Sequence, residues 1–100
     1  MTNLFDLTGS RAIVTGGTRG LGHGMAEGLM EAGASVVIFG SSDKVEKVAA
    51  DFRAKGYSCQ GVKANLASAE ERKAGFEKAV ELLGGLDIII NAAGIQRRHP

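Results

Sequence analysis

A glycine-rich segment between residues 15 and 22 is the part of the sequence best suited to bind a ligand. Its glycines Gly16, Gly20 and Gly22 follow a short β-branched run and precede a stretch with helical periodicity. Glycines in such a turn let the backbone approach a phosphate closely, because no Cβ stands in the way. The helix that follows offers unpaired N–H groups and the positive end of its dipole. The segment therefore predicts a binding site for the diphosphate of a dinucleotide.

Strand-like and helix-like segments alternate along the chain and position this turn. Short apolar runs predict four strands, at residues 11–15, 35–39, about 58–62 and 86–90. Three amphipathic helices lie between them, each followed by one or two glycines. Ser42 is the expected N-cap of the second helix. Ser68 and Glu71 predict a capping box at the start of the third.

The predicted order of elements places the ends of strands 1 and 4 beside each other. Right-handed crossovers between successive strands predict a parallel sheet with strand order 3-2-1-4. This is the first half of a Rossmann-type, doubly wound α/β fold, in which ligands bind where the chain reverses direction across the sheet. The glycine segment follows strand 1, and the sequence Asn-Ala-Ala-Gly at 91–94 follows strand 4. Both segments therefore predict one crevice.

Composition argues against several other classes of protein. The 100 residues carry a net charge of +1, which gives no broad field for nucleic acid or an anionic membrane. The single cysteine, Cys59, permits no intrachain disulfide and no thiolate metal site, so we expect no bound metal. No apolar run approaches the length of a membrane span, and residues 1–7 lack the apolar core of a signal peptide. We therefore expect a cytoplasmic protein.

The two glycine-containing segments together resemble the motifs of the short-chain dehydrogenase/reductase family. That family has Thr-Gly-x-x-x-Gly-x-Gly after its first strand and Asn-Asn-Ala-Gly after its fourth. This chain carries the first motif at residues 15–22 and the second at 91–94, with Ala92 in place of the second asparagine. The resemblance implies an oxidoreductase that uses NAD or NADP and acts on a small-molecule substrate. It also implies a homo-oligomer, expected to be a tetramer.

The resemblance also relates positions in this chain to parts of the cofactor. The glycine segment would hold the pyrophosphate, Asn65 and Leu66 would lie near the adenine, and residues 91–94 would line the adenosine ribose. Asn65 could instead be only a turn residue ahead of the third helix. The residues implied to contact the cofactor are Gly16, Thr18, Arg19, Gly20, Leu21, Gly22, Ser41, Ser42, Asn65, Leu66, Asn91, Ala92 and Gly94.

The end of strand 2 bears on the choice between NAD and NADP. An acidic residue there would bind the ribose hydroxyls and repel a 2′-phosphate. This chain instead has Ser41 and Ser42, with no acid before Asp43. Arg19 lies where some NADP-dependent relatives carry a basic residue, and the two serines could hydrogen-bond the phosphate. We therefore expect NADP rather than NAD, although Asp43 could still reach a ribose.

The segment after strand 4 bears on the substrate. Residues 94–100 resemble the same stretch in sugar-acid oxidoreductases of the family, which implies gluconate or a deoxygluconate as substrate. A guanidinium from Arg97 or Arg98 could hold the carboxylate of such a substrate in a bidentate pair. Both arginines could instead be surface or subunit-contact charges. A 3-ketoacyl or carbonyl reductase is the alternative function.

The proton-transfer residues of the family have no counterpart in this chain. They are a Tyr-x-x-x-Lys pair and an upstream serine, whereas the single tyrosine, Tyr57, is followed four residues later by Gly61. We therefore assign no catalytic residue. We expect residues 1–100 to be the amino-terminal, dinucleotide-binding half of one Rossmann-fold domain, whose bare fourth strand would favour association. If the chain ends naturally at Pro100, a non-catalytic dinucleotide-binding module is the alternative.

Overall fold

The computed structural model describes residues 6–18 and 20–92, which form one parallel sheet flanked by helices. The strands are β1 (Arg11–Thr15), β2 (Ser35–Gly40), β3 (Cys59–Lys63) and β4 (Ile88–Asn91). The helices that connect them are α1 (Gly20–Glu31), α2 (Lys44–Ala54) and α3 (Ala69–Leu83). The strand order is β3-β2-β1-β4 and every pairing is parallel. The predicted Rossmann-type α/β topology is therefore confirmed.

Element boundaries differ from the predicted ones by one or two residues. β2 continues to Gly40, β3 is displaced by one residue toward the C-terminus, and β4 begins at Ile88 rather than at residue 86. The prediction that Ser42 is the N-cap of α2 is wrong. Asp43 occupies that position without a side-chain cap, and the hydroxyl of Ser42 accepts a hydrogen bond from the Lys44 N–H at 3.3 Å. None of the described helices is long and apolar enough to cross a bilayer.

The central strands are apolar on both faces because helices cover the sheet from both sides. Val14 and Ile38 pack on the face covered by α1 and α2, in a cluster that includes Phe52. Ile13 and Phe39 pack on the opposite face, with residues of α3. β1 and β2 are therefore rigidly held, and the turns that follow them start from fixed positions.

β4 forms one edge of the sheet described by the structure. It pairs with β1, and the side chain of Ile89 is 56% exposed. Leu82 and Val80 of α3 are also exposed. An apolar strand edge of this kind is a surface on which another segment or chain can pair.

Arg11 joins the beginning of β1 to the beginning of β4. Its guanidinium donates hydrogen bonds to both carboxylate oxygens of Asp87 (Nε–Oδ2 3.1 Å, Nη2–Oδ1 3.3 Å) and to the Gly84 carbonyl oxygen (3.0 Å). The Arg11 N–H also donates to Oδ2 at 2.9 Å. The side-chain and then the backbone hydrogen bonds from Arg11 lower the pKa of Asp87. Gly85 beside this guanidinium has a φ of 154°, a backbone conformation that favours glycine, and a Cβ there would also force the Arg11 side chain to move.

We expect Asp87→Asn to destabilise the protein at pH 7 and to lose this effect in acid. Because the pKa of Asp87 is lowered in the folded chain, its contribution is present above the unfolded-state value of 3.8 and is lost as the pH falls through the folded-state value. Urea denaturation at a series of pH values from 7 to 3 measures the difference. Asp51→Asn on α2 is the control, because the Asp51 side chain has no polar partner in the described part of the chain. An equal decrease in the free energy of unfolding at every pH would contradict the prediction.

Candidate functional site

The turn between β1 and α1 is shaped by glycines that leave no room for side chains. Gly16 and Gly20 have positive φ angles of 71° and 65°, which glycine adopts without steric cost. A Cβ on Gly22 would collide with the carbonyl oxygen of Gly16 and would lie 3.0 Å from the Cβ of Ala92. The first turn of α1 therefore lies directly against both the end of β1 and the residue that follows β4.

The backbone N–H groups of this turn divide into two sets. Those of Gly16 and Gly17 both donate to the carbonyl oxygen of Phe39, each at 3.2 Å. The first N–H groups of α1, which begins at Gly20, have no partner within the helix. The N–H groups at the start of α1, near Leu21 and Gly22, are therefore suited to an anion, whereas those of Gly16 and Gly17 are already used by Phe39.

A cavity of about 300 Å³ lies at the carboxyl ends of β1, β2 and β3. Five of the predicted site residues line it: Gly16, Thr18, Ser41, Asn65 and Leu66. Sequence reasoning missed its other lining residues, which have small or fully buried side chains that no chemical motif marks. They are Phe39, Gly40, Ala64 and Ala67.

Asn65 is both a turn residue and a lining residue of this cavity. Its Oδ1 accepts a hydrogen bond from the Ala67 N–H at 3.0 Å, and its own N–H donates to Oε1 of Glu71 at 2.8 Å. Ser68 caps α3 as predicted, since its hydroxyl accepts from the Glu71 N–H at 3.3 Å. The reciprocal half of the capping box is absent, because the Glu71 carboxylate binds Asn65 instead. The Nδ2 group of Asn65 makes no hydrogen bond with any described residue.

A second cavity, of about 250 Å³, adjoins the first at the end of β2. It is lined by Thr18, Ser41, Ser42 and Lys44, whose side chains carry three hydroxyl groups and one ammonium group. Lys44 was not among the predicted residues, although it directly follows the serine pair and Asp43 in the sequence. No carboxylate is among the described residues that line either cavity. The donor set therefore suits an anionic group such as a phosphate.

The Thr15 hydroxyl fixes the side chain at the end of β4. It donates to Oδ1 of Asn91 at 2.9 Å and lies 3.4 Å from the carbonyl oxygen of Ile90. Thr15 is 4% exposed and pairs with Asn91 in the parallel register of β1 and β4. The two predicted motifs thus meet at one end of the sheet, through this hydrogen bond and through the close approach of Gly22 to Ala92.

Four of the predicted site residues, Arg19, Gly94, Arg97 and Arg98, lie outside the described residues. The contacts assigned to them stay predictions. Within the ranges that the structure describes, no group of three or more His, Cys, Asp or Glu side chains could hold a metal ion. Burial raises the pKa of the Cys59 thiol to about 11, which makes the thiolate scarce at neutral pH.

Comparison with known proteins gives a consistent match. Residues 10–100 match the family model described as short chain dehydrogenase. A 2-dehydro-3-deoxy-D-gluconate 5-dehydrogenase from Formosa agariphila is 43% identical over 98% of this chain and 38% of its own length. A 3-oxoacyl-[acyl-carrier-protein] reductase from Aquifex aeolicus is 42% identical over 91% of this chain and 38% of its own.

Solved structures give the same result. A crystal structure of a hydroxysteroid dehydrogenase from Escherichia coli matches with a TM-score of 0.83 and 30% identity. The match covers 90% of this chain and 39% of that one. The chain thus spans about two fifths of the length of the proteins that it matches here.

We expect Gly22→Ala to destabilise the protein and to weaken dinucleotide binding, because the added methyl group collides with the Gly16 carbonyl oxygen. Overpacking of this kind costs about 1–3 kcal/mol. Gly24→Ala is the matched control, since a Cβ at this position of α1 meets no atom within 4 Å. Alanine there should stabilise the helix by up to about 1 kcal/mol. Urea denaturation and calorimetric titration with NADP⁺ measure both effects, and a Gly22→Ala variant that matches the control would refute the steric argument.

Proposed function

Because this chain belongs to the short-chain dehydrogenase family, we propose that it binds NADP and acts in an oxidoreductase whose substrate is a sugar acid. The reaction is the transfer of a hydride between the nicotinamide and the substrate carbon that bears the hydroxyl or ketone oxygen, while that oxygen loses or gains a proton. One observation carries the proposal: the glycine turn that leads into α1 contributes Gly16 and Thr18 to two adjoining cavities at the ends of β1, β2 and β3, and none of their described lining residues is acidic. Fold and family together make this crevice the expected dinucleotide site.

The residues of this chain would bind and orient the cofactor. The N–H groups around Gly20, Leu21 and Gly22 would face the diphosphate, because a helix N-terminus stabilises negative charge. The larger cavity would take the adenine, with the Nδ2 group of Asn65 as a hydrogen-bond donor. Asn91, held by Thr15, would contact the adenosine ribose. When bound, NADP supplies the acceptor or donor of the hydride.

The preference for NADP is supported by the chemistry of the smaller cavity. A 2′-phosphate adjacent to the adenosine would meet the hydroxyls of Ser41 and Ser42 and the ammonium of Lys44. Hydrogen bonds from a charged donor to a phosphate are stronger than those between neutral groups. NAD lacks this phosphate, so these three side chains would contribute less to its binding.

The sugar-acid substrate is supported by the 43% identity to the dehydrogenase from Formosa agariphila. The resemblance of residues 94–100 to sugar-acid enzymes agrees with it, with Arg97 or Arg98 as the carboxylate-binding residue. A 3-oxoacyl thioester is the second candidate substrate, because the reductase from Aquifex aeolicus is nearly as similar at 42%. The two candidates differ in whether the substrate itself carries a carboxylate.

The remaining parts of the proposal concern the whole protein. We propose that residues 1–100 are the amino-terminal half of a single Rossmann-fold domain, since they span 38% of the length of the two relatives. The serine and the Tyr-x-x-x-Lys pair that move the proton would then lie in the part of that domain that residues 1–100 do not include. The assembled enzyme would be a cytoplasmic homotetramer.

We expect the full-length protein to oxidise gluconate or to reduce a keto-deoxygluconate, with higher kcat/KM for NADP(H) than for NAD(H). The assay follows nicotinamide absorbance with gluconate, keto acids of 2-deoxygluconate and an acetoacetyl thioester, each with both cofactors. Turnover of the thioester alone would contradict the sugar-acid proposal and favour the second candidate. Binding of cofactor without turnover of any substrate would favour a non-catalytic module.

We expect Lys44→Met to raise the Kd for NADP⁺ about tenfold and to leave the Kd for NAD⁺ nearly unchanged. The factor corresponds to the loss of one charge-assisted hydrogen bond. Lys47→Met, one turn later on α2, is the control, because Lys47 lines neither cavity. Isothermal titration calorimetry measures both constants.

Arg19→Ala tests whether a residue of the glycine turn also contacts the 2′-phosphate. It should also weaken NADP⁺ binding more than NAD⁺ binding. Equal effects on the two nucleotides in both variants would exclude a 2′-phosphate site at this position.

A further inference from the structure

Asp43 is the first carboxylate after β2 in the sequence. It lies between Ser42 and Lys44, both of which line the smaller cavity, yet it lines neither cavity itself. It occupies the N-cap position of α2 but its side chain makes no capping hydrogen bond, so the helix does not hold the carboxylate. The side chain is 94% exposed.

Lys63 is the group that holds this carboxylate. Its Nζ lies 3.0 Å from Oδ1 of Asp43. Lys63 is the last residue of β3 and pairs with Gly40, the last residue of β2. The Ala64 N–H donates to the Gly40 carbonyl oxygen at 2.9 Å, which fixes the end of β3 beside the end of β2. The backbone of Lys63 is therefore anchored, and its ammonium group binds Asp43 from β3.

We propose that Lys63 is a specificity-determining residue that acts through Asp43. The ion pair would offset the negative charge of this carboxylate, whose sequence neighbours both line the smaller cavity, and would hold it from the side of β3. Without Lys63, Asp43 is free to accept hydrogen bonds from the ribose hydroxyls and repels a 2′-phosphate. Lys63 thus permits a phosphate to bind beside an acidic residue. This inference rests on the proposed dinucleotide site.

The test compares Lys63→Met in two backgrounds, with Kd values for NADP⁺ and NAD⁺ measured by calorimetry on the full-length protein. We expect Lys63→Met alone to raise the ratio of Kd for NADP⁺ to Kd for NAD⁺ roughly fivefold, because an unpaired charge then acts on a phosphate through water. In the Asp43→Asn background, the same change should leave the ratio nearly constant. Lys78→Met is the matched control, since Lys78 of α3 and Lys63 both line a further surface cavity between β3 and α3, and Lys78 does not contact Asp43.

The outcomes separate this inference from the proposed function. An equal change of the ratio in both backgrounds would mean that Lys63 acts on the phosphate directly, and it would overturn the role of Asp43. No change in either background would overturn the inference while leaving the dinucleotide site intact. An unaltered protein that binds neither nucleotide would overturn both. Circular dichroism of the variants checks that these exposed substitutions leave the fold unchanged.

Discussion

The absence of a side chain at Gly22 is the constraint on which the rest of the site depends. With only hydrogen on that Cα, the first turn of α1 can lie against the carbonyl oxygen of Gly16 and the Cβ of Ala92. This contact brings the helix N-terminus to the ends of β1 and β4 at once. A larger residue would move the N-terminus of the helix away from both strands. Glycine therefore has a packing role here that is inseparable from its proposed ligand-binding role.

The pairing of β1 with β4 is held by polar contacts at both ends. Arg11 and Asp87 join the strands where they begin, and Thr15 and Asn91 join them where they end. The glycine turn after β1 is joined to β2 as well, since the Phe39 carbonyl oxygen accepts hydrogen bonds from Gly16 and Gly17. The turn, the end of β2 and the end of β4 are thus parts of one hydrogen-bonded unit. Such a unit favours binding, because little conformational freedom is left to lose when a ligand arrives.

Features that depend on local sequence patterns were predicted correctly. Features that depend on the path of the backbone or on the register between strands were not. Apolar runs and glycines located the strands, the turn and the strand order. Ser42 was wrongly predicted as a cap because the chain needs one more residue before α2 begins, and only the backbone path reveals this. Lys44 was missed because nothing local shows that its side chain lines a cavity. The pair of Lys63 with Asp43 joins residues 20 positions apart, and it exists only because β3 pairs with β2 in one particular register.

An exposed ion pair of this kind can influence specificity while contributing little to stability. Pairs on the surface typically contribute 0 to about 1 kcal/mol to folding, because water screens the charges and side-chain entropy opposes their pairing. Discrimination between NAD and NADP depends on a different quantity, which is the difference between two affinities of the same folded protein. The stability of the pair cancels in that difference, whereas the position of the carboxylate does not, because only one of the two ligands carries the additional phosphate. A contact that contributes little to the fold can therefore be decisive at the edge of a binding site.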